Sequence, residues 1–179
     1  MVRVRRMQAQ DVDVCARLVA GDPLWRRYRV TVAGARRSFK TALAGARRSP
    51  PGGRPAGDIA VAVEGRRILG FVWFRVEGTF HHSGYVRWIA VAPTSRSRGV
   101  GERLMRHAES RIFRGGPNVF LTVSDFNTRA QAFYRRLGYE RVGALADYVV
   151  AGITEYLYRK TQGPIDRVRG TISRRRRVE

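Results

Sequence analysis

The segment from Thr94 to Leu104, TSRSRGVGERL, has the composition of an anion-binding turn. An apolar, strand-like run precedes it and an amphipathic helical pattern follows, so free N–H groups of the turn would converge at a helix N-terminus. Gly99 and Gly101 would let the main chain approach a bulky anion, and Arg96 and Arg98 would add charge-assisted hydrogen bonds. The segment therefore predicts a diphosphate cradle, with an ordinary tight strand-to-helix turn as the alternative.

A second pattern of polar and aromatic residues lies further along the chain. Asn127 precedes a helical pattern in which Ala130, Phe133 and Tyr134 share one face, and Gly138 stands where a helix C-cap is expected. From the residues alone, Asn127 is interpreted as a helix N-cap and Tyr134 as a packed aromatic. This pattern acquires a chemical meaning only in combination with the turn described above.

Together the two patterns resemble the GCN5-related N-acetyltransferase (GNAT) family. Arg96, Gly99 and Gly101 have the spacing of its acyl-CoA-binding motif, (Gln/Arg)-x-x-Gly-x-(Gly/Ala). The family's second motif is similar to the pattern of Asn127, Ala130, Phe133, Tyr134, Gly138 and Tyr139. The resemblance covers 58–160 and implies an α/β (α+β) fold, with a mixed, mostly antiparallel central sheet flanked by helices. It also implies that the sheet is splayed at the acyl-CoA site, between the strands 85–91 and 119–123.

The resemblance implies an N-acetyltransferase that moves acetyl from acetyl-CoA to an amine by direct attack in a ternary complex. Main-chain groups at 89–91 would pair with the pantetheine arm, amides at 98–102 would hold the diphosphate, and Tyr134 would protonate the departing thiolate. Asn127 would contact the pantetheine or cap its helix. The residues implied to bind the coenzyme are Ile89, Ala90, Val91, Arg96, Arg98, Gly99, Val100, Gly101, Glu102, Asn127 and Tyr134.

The general base is not evident from the sequence. Many family members carry a glutamate near the start of the strand that leads to the phosphate loop, but the segment 83–88 contains no carboxylate. The candidates are Glu77, His81, His82 and a water held by backbone carbonyls, and Glu77 is preferred. The adjacent histidines are interpreted as exposed loop residues, because their spacing does not suit chelation, and no metal is predicted.

The net charge of the chain narrows the range of acceptors that we expect. There are 35 Lys and Arg against 14 Asp and Glu, a net charge of +21, and nearly all the cations are arginine. A coding bias toward arginine is one explanation and an anionic partner is the other. Because such a protein repels polycations, we expect a neutral or anionic acceptor such as a peptide or protein α-amine. The rival hypothesis is an RNA- or ribosome-binding protein whose acyl-CoA pocket is vestigial or regulatory.

Hydrophobic periodicity indicates the elements that position these residues. The predicted helices are 11–20, 32–46, 100–113 and 127–137, and the predicted strands are 2–7, 59–63, 68–76, 85–91, 119–123, 141–142 and 155–159. We predict a single domain over 1–162, with a mobile loop at 49–57 and a basic tail at 163–179 that is either disordered or an arm for a polyanion. A lone cysteine, Cys15, and the lack of long apolar runs predict a cytoplasmic protein without a membrane span.

Overall fold

The computed structural model describes residues 1–47, 58–80 and 83–165. Its helices and strands are β1 Arg3–Arg6, α1 Val12–Ala20, α2 Pro23–Arg27, α3 Val32–Arg47, β2 Asp58–Glu64, β3 Arg67–Thr79, β4 Ser83–Val91, α4 Val100–Ile112, β5 Asn118–Ser124, α5 Thr128–Arg136, β6 Glu140–Ala146 and β7 Thr154–Thr161. Single 3-10 turns at Ala9–Asp11 and Pro93–Ser95 precede α1 and α4. The predicted loop 49–57, the two histidines 81 and 82 and the tail from 166 onward lie outside the described residues.

One seven-stranded sheet in the order β1-β2-β3-β4-β5-β7-β6 contains all the strands. Its neighbours are antiparallel except β4 and β5, which are parallel. β1 lies at one edge of the sheet and β6 at the other. The mixed, mostly antiparallel sheet confirms the expected α+β fold.

Helices cover both faces of the sheet. On the first face, Leu104 of α4 and Tyr134 of α5 join a buried cluster with Leu121 of β5. On the opposite face, Cys15 of α1 and Phe39 of α3 belong to a second buried cluster. These surfaces are called here the α4 face and the α1 face. Each of them provides one wall of the candidate site.

β3 lies between the two clusters. Its residues Val72 and Phe74 belong to the cluster on the α4 face, whereas Phe71 and Trp73 belong to the cluster on the α1 face. Because successive side chains of a strand point to opposite faces, a run that is apolar at every position is buried on both sides. β3 is therefore a central strand of the sheet, as its apolar residues on both faces indicate.

α2 is a helix that the sequence analysis does not predict. The segment from Gly21 to Pro23 has the composition of a helix stop, yet Pro23 begins a new helix and Asp22 Oδ1 accepts a hydrogen bond from the N–H of Leu24 at 2.9 Å. Proline suits the first helical position because its missing N–H has no partner there in any case. The same residues therefore end α1 and start α2, which carries Tyr28 at its C-terminal end.

β4 and β5 pair only briefly. Gly84 lies opposite Val119 and Tyr85 opposite Phe120, and the register of the pair ends there, although β4 continues to Val91. The parallel pairing is therefore confined to the first part of each strand.

A β-bulge lies at the point where the two strands separate. Trp88 of β4 is opposite Trp73 of β3 and Val86 is opposite Phe74, so Arg87 is an extra residue on β4. Bulges bend a strand, increase its twist and are frequent beside active sites. The pairing of β4 with β5 ends just before this bulge. The resulting opening, called here the wedge, confirms the predicted splay of the sheet.

Candidate active site

The loop after β4 presents a row of unpaired main-chain N–H groups. Within the described chain, the amides of residues 97–102 donate no hydrogen bond of ordinary geometry. The neighbouring bonds run from Ser95 N–H to Ala92 O at 2.8 Å and from Arg103 N–H to Gly99 O at 3.1 Å, on either side of the row. Unsatisfied donors at the start of a helix attract an anion, and the helix dipole adds to this attraction.

Two left-handed residues shape this row. Ser97 has φ 61° and Gly99 has φ 74°, and they are separated by Arg98. Such alternation lets consecutive N–H groups converge in an anion-binding nest. Gly101 has a different role, because a Cβ there would lie 3.2 Å from Cζ of Phe133. Its small size therefore allows α4 to approach α5.

The two arginines of the loop have carboxylate partners of their own. Arg96 Nη2 lies 2.6 Å from Asp22 Oδ2, at the start of α2. Arg98 Nη2 lies 3.5 Å from Glu64 Oε2, at the end of β2. Arg96 thus ties the loop to α2. A role for either guanidinium in holding the diphosphate stays a prediction.

The end of β4 offers main-chain groups to the wedge. Ala92 N–H donates to Leu69 O on β3 at 2.8 Å. Because successive residues of a strand direct their main-chain groups to opposite edges, Ala90 also faces β3, whereas Ile89 and Val91 face away from it. The predicted pairing with a pantetheine arm therefore has suitable geometry at Ile89 and at the N–H of Val91, whose carbonyl oxygen accepts a hydrogen bond from Arg96 Nε at 3.3 Å.

Tyr134 is buried at the wedge on the α4 face. Its ring contacts those of Phe133 and Tyr139, with centroids 5.2 and 5.8 Å away, and the residue is 6% exposed. Its hydroxyl makes no hydrogen bond to the described residues. Burial raises the pKa of Tyr134 well above its ordinary value, and the nearby Tyr85 raises it further. The phenol is therefore protonated at neutral pH, as a proton donor must be.

Asn127 occupies the position at which α5 begins. Its Oδ1 accepts a hydrogen bond from the N–H of Ala130 at 3.2 Å. Gln131 Nε2 donates to the main-chain oxygens of Ser124 and Asp125 at 3.2 and 2.8 Å, which fixes the connection between β5 and α5. Of the two roles considered for Asn127, the helix cap is therefore present.

Glu155 on β7 is a buried carboxylate that no sequence motif marks. It lies opposite Ser124 of β5 and is 4% exposed. The hydroxyl of Tyr28 donates a hydrogen bond to Glu155 Oε1 and shares another with Ser124 Oγ. Burial, together with the negative charge of Asp125, raises the pKa of Glu155. Burial also raises the pKa of Tyr28 to about 12, so its phenol remains a donor.

This second group of polar residues lies on the α1 face. Leu121 and Val123 of β5 belong to the cluster on the α4 face. Thr122 and Ser124 alternate with them and therefore point to the α1 face. The Tyr85 hydroxyl lies 3.1 Å from Thr122 Oγ1, which places Tyr85 on the α1 face at the closed end of the wedge.

Tyr85 connects the two sides of the wedge electrostatically. Its phenol raises the pKa of Tyr134 on the α4 face. The carboxylate of Glu155 on the α1 face contributes to raising the pKa of Tyr85, whose main cause is burial. A protonated phenol and a carboxylate thus lie on opposite faces of the sheet, an arrangement that suits an acid and a base.

The base preferred from the sequence lies elsewhere in the sheet. Glu77 is two residues beyond Arg75, which is opposite Tyr85, so Glu77 extends past the closed end of the wedge. It is on β3, which is separated from β5 by β4. His81 and His82 lie outside the described residues. Glu77 on β3 and Glu155 on β7 thus each lie one strand away from the pair that borders the wedge, and a role for Glu77 as the base stays a prediction.

Cys15 is buried in α1, where burial raises the pKa of its thiol to about 12. Within 1–47, 58–80 and 83–165, no three His, Cys, Asp or Glu side chains are grouped as a metal site would require. No helix in the same part of the chain is long and apolar enough to cross a bilayer.

Comparisons with known proteins agree with this geometry. The model of the acetyltransferase (GNAT) family matches residues 26–139. N-alpha-acetyltransferase RimI of Mycobacterium tuberculosis is 39% identical over 79 residues, which cover 44% of this chain and 49% of that protein. Mycothiol acetyltransferase of Mycolicibacterium gilvum is 34% identical over 116 residues, which cover 61% of this chain and 38% of that protein. The chain thus spans about half the length of these relatives or less.

Solved structures share the fold. A chain described as a GNAT-family acetyltransferase from Desulfovibrio desulfuricans superposes with a TM-score of 0.72 at 21% identity, covering 90% of this chain and 99% of that one. An aminoglycoside 6'-N-acetyltransferase complexed with coenzyme A gives a TM-score of 0.67 at 16% identity, covering 90% and 98%. At such identities the likeness concerns the fold alone. Because the family model matches more than half of the 179 residues, the chain belongs to the acetyltransferase (GNAT) family.

Proposed function

We propose that this chain transfers an acetyl group from acetyl-CoA to the α-amine of a peptide or protein by direct attack in a ternary complex. The amides of residues 97–102 carry the proposal, because they have no acceptor within the described chain and stand at the end of the strand that borders the wedge. A diphosphate supplies the acceptors and the charge that such a nest favours. The coenzyme's thioester supplies an activated acyl group.

The chain's own residues divide the remaining tasks. Main-chain groups of Ile89 and Val91 orient the pantetheine arm, and an N–H there stabilises the negative charge that develops on the carbonyl oxygen. Tyr134 donates its proton to the departing sulfur. Direct attack is supported by Cys15, which is buried in α1 as a protonated thiol and therefore unsuited to an acyl-enzyme.

Three observations support a neutral or anionic peptide acceptor. The RimI relative is an N-alpha-acetyltransferase. The net charge of +21 disfavours polycations. Tyr148 and Val149, which are 64% and 56% exposed, lie between β6 and β7, and Tyr148 is close enough to Tyr85 to affect its pKa. Exposed apolar side chains at the acceptor side suit the residues that follow an α-amine in a peptide. The mycothiol acetyltransferase relative makes an acceptor related to mycothiol the second candidate.

A panel of acceptors tests the proposal. Calorimetry with acetyl-CoA measures coenzyme binding, and steady-state kinetics compare the hexapeptide AEDAGG, de-acetylated mycothiol and spermidine. We expect coenzyme binding and the highest kcat/KM with the peptide. A preference for spermidine would defeat the acceptor assignment, whereas no binding of acetyl-CoA would defeat the enzymatic function.

The net charge of +21 also supports the rival RNA-binding hypothesis, which a titration can test. Titration with an unstructured RNA at several salt concentrations measures how many phosphates are neutralised, because counterion release sets the slope. A steep slope without acetyl transfer would favour a binding protein. A shallow slope with turnover supports the enzyme.

A further inference from the structure

We propose that the Glu155 carboxylate binds the ammonium group of the acceptor and takes its proton, an inference that rests on the proposed acetyltransferase function. Four features of the molecule carry it. They are the burial of Glu155, its lack of a cationic partner among the described residues, its hydrogen bond from the Tyr28 hydroxyl that Ser124 also bonds, and its place on the face of the sheet opposite Tyr134.

The first step concerns charge. Glu155 is 4% exposed and its neighbour Asp125 is also acidic. Buried carboxylates in proteins are ordinarily paired with a cation. This chain has 35 Lys and Arg, yet none of the described ones forms an ion pair with Glu155. The site therefore retains the negative charge that an incoming ammonium group requires.

The neighbours of Glu155 fix the orientation of its carboxylate. Tyr28, at the end of α2, donates to Glu155 Oε1, and Ser124 bonds the same phenol oxygen. α2 is itself held by Trp25, whose ring lies 5.3 Å from that of Trp88 on β4. Three separate elements thus fix the direction of the carboxylate. A base held in this way needs little reorganisation when it accepts a proton.

The position of Glu155 relative to Tyr134, the proposed proton donor, also supports the proposal. Glu155 and Tyr85 are on the α1 face, and Tyr134 is on the α4 face. Both Glu155 and Tyr134 interact electrostatically with Tyr85 at the closed end of the wedge. An acceptor that enters from the α1 face therefore meets the carboxylate before it meets the acyl group. Two titratable groups whose surroundings differ in this way suit a base and an acid.

The proton balance of the step is simple. The acceptor arrives as R–NH3⁺, and Glu155 takes one proton to leave the free amine. A C–N bond then forms as the C–S bond breaks with its electron pair on sulfur, and the sulfur takes the proton of Tyr134. The second proton that leaves nitrogen restores the phenol. Glu155 finally releases its proton to solvent.

Glu155→Gln tests the role in two ways. At pH 7 we expect kcat/KM for the peptide AEDAGG to fall by roughly 100-fold or more, the usual contribution of a general base. The remaining activity should rise about tenfold per pH unit until the α-amine is deprotonated near pH 8. Glu140→Gln is the matched control, because Glu140 is exposed on β6, the strand next to β7. Circular dichroism and unchanged affinity for acetyl-CoA report a folded variant.

Tyr28→Phe separates a catalytic carboxylate from a structural one. The groups that face Glu155 are Tyr28, Ser124 and Asp125, with Tyr85 nearby, and the hydrogen bond from Tyr28 lowers the carboxyl pKa. Its removal should therefore raise that pKa and move the acidic limb of the pH profile to higher pH. The proposal is overturned if the acidic limb of the pH profile stays in place in Tyr28→Phe. It is also overturned if Glu77→Gln abolishes this limb while Glu155→Gln leaves it unchanged.

Peptide binding keeps the inference distinct from the proposed function. In the presence of coenzyme A, wild type should bind AEDAGG with a free α-amine more tightly than the same peptide N-acetylated, and Glu155→Gln should lose this preference. If no acetyl transfer occurs but the preference and its loss are observed, the proposed function fails and the ammonium site stands. If wild type shows no preference, the ammonium site fails.

Discussion

The two sides of the wedge are assembled from the sequence in different ways. The α4 side uses two short continuous segments, the loop 92–102 and the stretch 127–139 that contains α5. The α1 side joins Tyr28 to Ser124 and to Glu155, which are 96 and 127 residues away along the chain. In the proposed reaction, the first side binds the coenzyme through main-chain amides, and the second acts through side chains. A local motif is therefore sufficient to build one side, whereas the other exists only after the whole sheet has formed.

The two sides also differ in the charge they accept. Amides at the start of α4 attract an anion, because they are unsatisfied donors at the positive end of a helix dipole. The buried Glu155 and its neighbour Asp125 attract a cation in a chain whose net charge is +21. This difference supports the proposal that the coenzyme binds on one side and the amine on the other.

One ion pair links the two sides. Arg96 of the loop is bound to Asp22, which also caps the helix α2 that leads to Tyr28. A change in the loop that displaces this guanidinium would therefore also disturb the start of α2.

Loss of the Tyr134 hydroxyl should have the largest effect on the α4 side. In Tyr134→Phe we expect kcat to fall by about 100-fold or more, because the departing sulfur loses its proton donor. The affinity for acetyl-CoA, measured by calorimetry, should be almost unchanged. Tyr139→Phe removes a hydroxyl from the same group of rings and serves as control. Equal turnover in the two variants would show that the Tyr134 hydroxyl does not take part in the reaction.

A change in the conformation of the loop 92–102 should have the next largest effect. Gly99 has φ 74°, and an alanine there is strained by about 1 kcal/mol and should displace the amide row. We expect Gly99→Ala to weaken acetyl-CoA binding by about tenfold. Gly65→Ala is a matched control, since Gly65 has φ 59° and, like Gly99, open space around its Cβ, but lies in the turn between β2 and β3. Both should lose similar thermal stability, and only Gly99→Ala should lose coenzyme affinity. A similar loss of affinity in Gly65→Ala would show that strain alone explains the effect.

Acceptor charge should give a smaller effect on the α1 side. We expect kcat/KM for AEDAGG to exceed that for the uncharged peptide AGAAGG several-fold at about 20 mM salt, because a strongly positive protein attracts an anionic substrate. At about 500 mM salt the difference should largely disappear. A preference that does not depend on salt would point to a direct contact with the acidic residues.

The Arg96–Asp22 link should give the smallest effect. Asp22→Asn keeps an oxygen to cap α2 but removes the charge of a partly exposed pair, so we expect a loss of at most about 1 kcal/mol in unfolding free energy. Thermal denaturation measures it. A much larger loss would mean that the pair holds the loop and α2 in place together.

The sequence predicts the α4 side well for a physical reason. Glycine spacing, helix periodicity and the cap at Asn127 are local signals, and the structure places all of them on the expected elements. The splay of the sheet is expected from the family resemblance and coincides with the bulge at Arg87, which no residue type in the sequence indicates.

The α1 side is much harder to predict. Glu155 stands in a run, TEYLYRKT, whose two faces look equally polar, so periodicity does not show that this carboxylate is buried. Tyr28 follows a helix that begins where the composition indicates a stop. Only the register of β5 with β7 brings Ser124 opposite Glu155. The preference for Glu77 as the base rests on its closeness along the chain to the motif, and it stays a prediction.

A crystal structure with bound coenzyme A tests the central claim most directly. We expect diphosphate oxygens within about 3.2 Å of the amides of residues 97–102, and the sulfur in the wedge next to the Tyr134 hydroxyl. A coenzyme whose diphosphate lies elsewhere, with those amides bonded to protein or solvent alone, would contradict it.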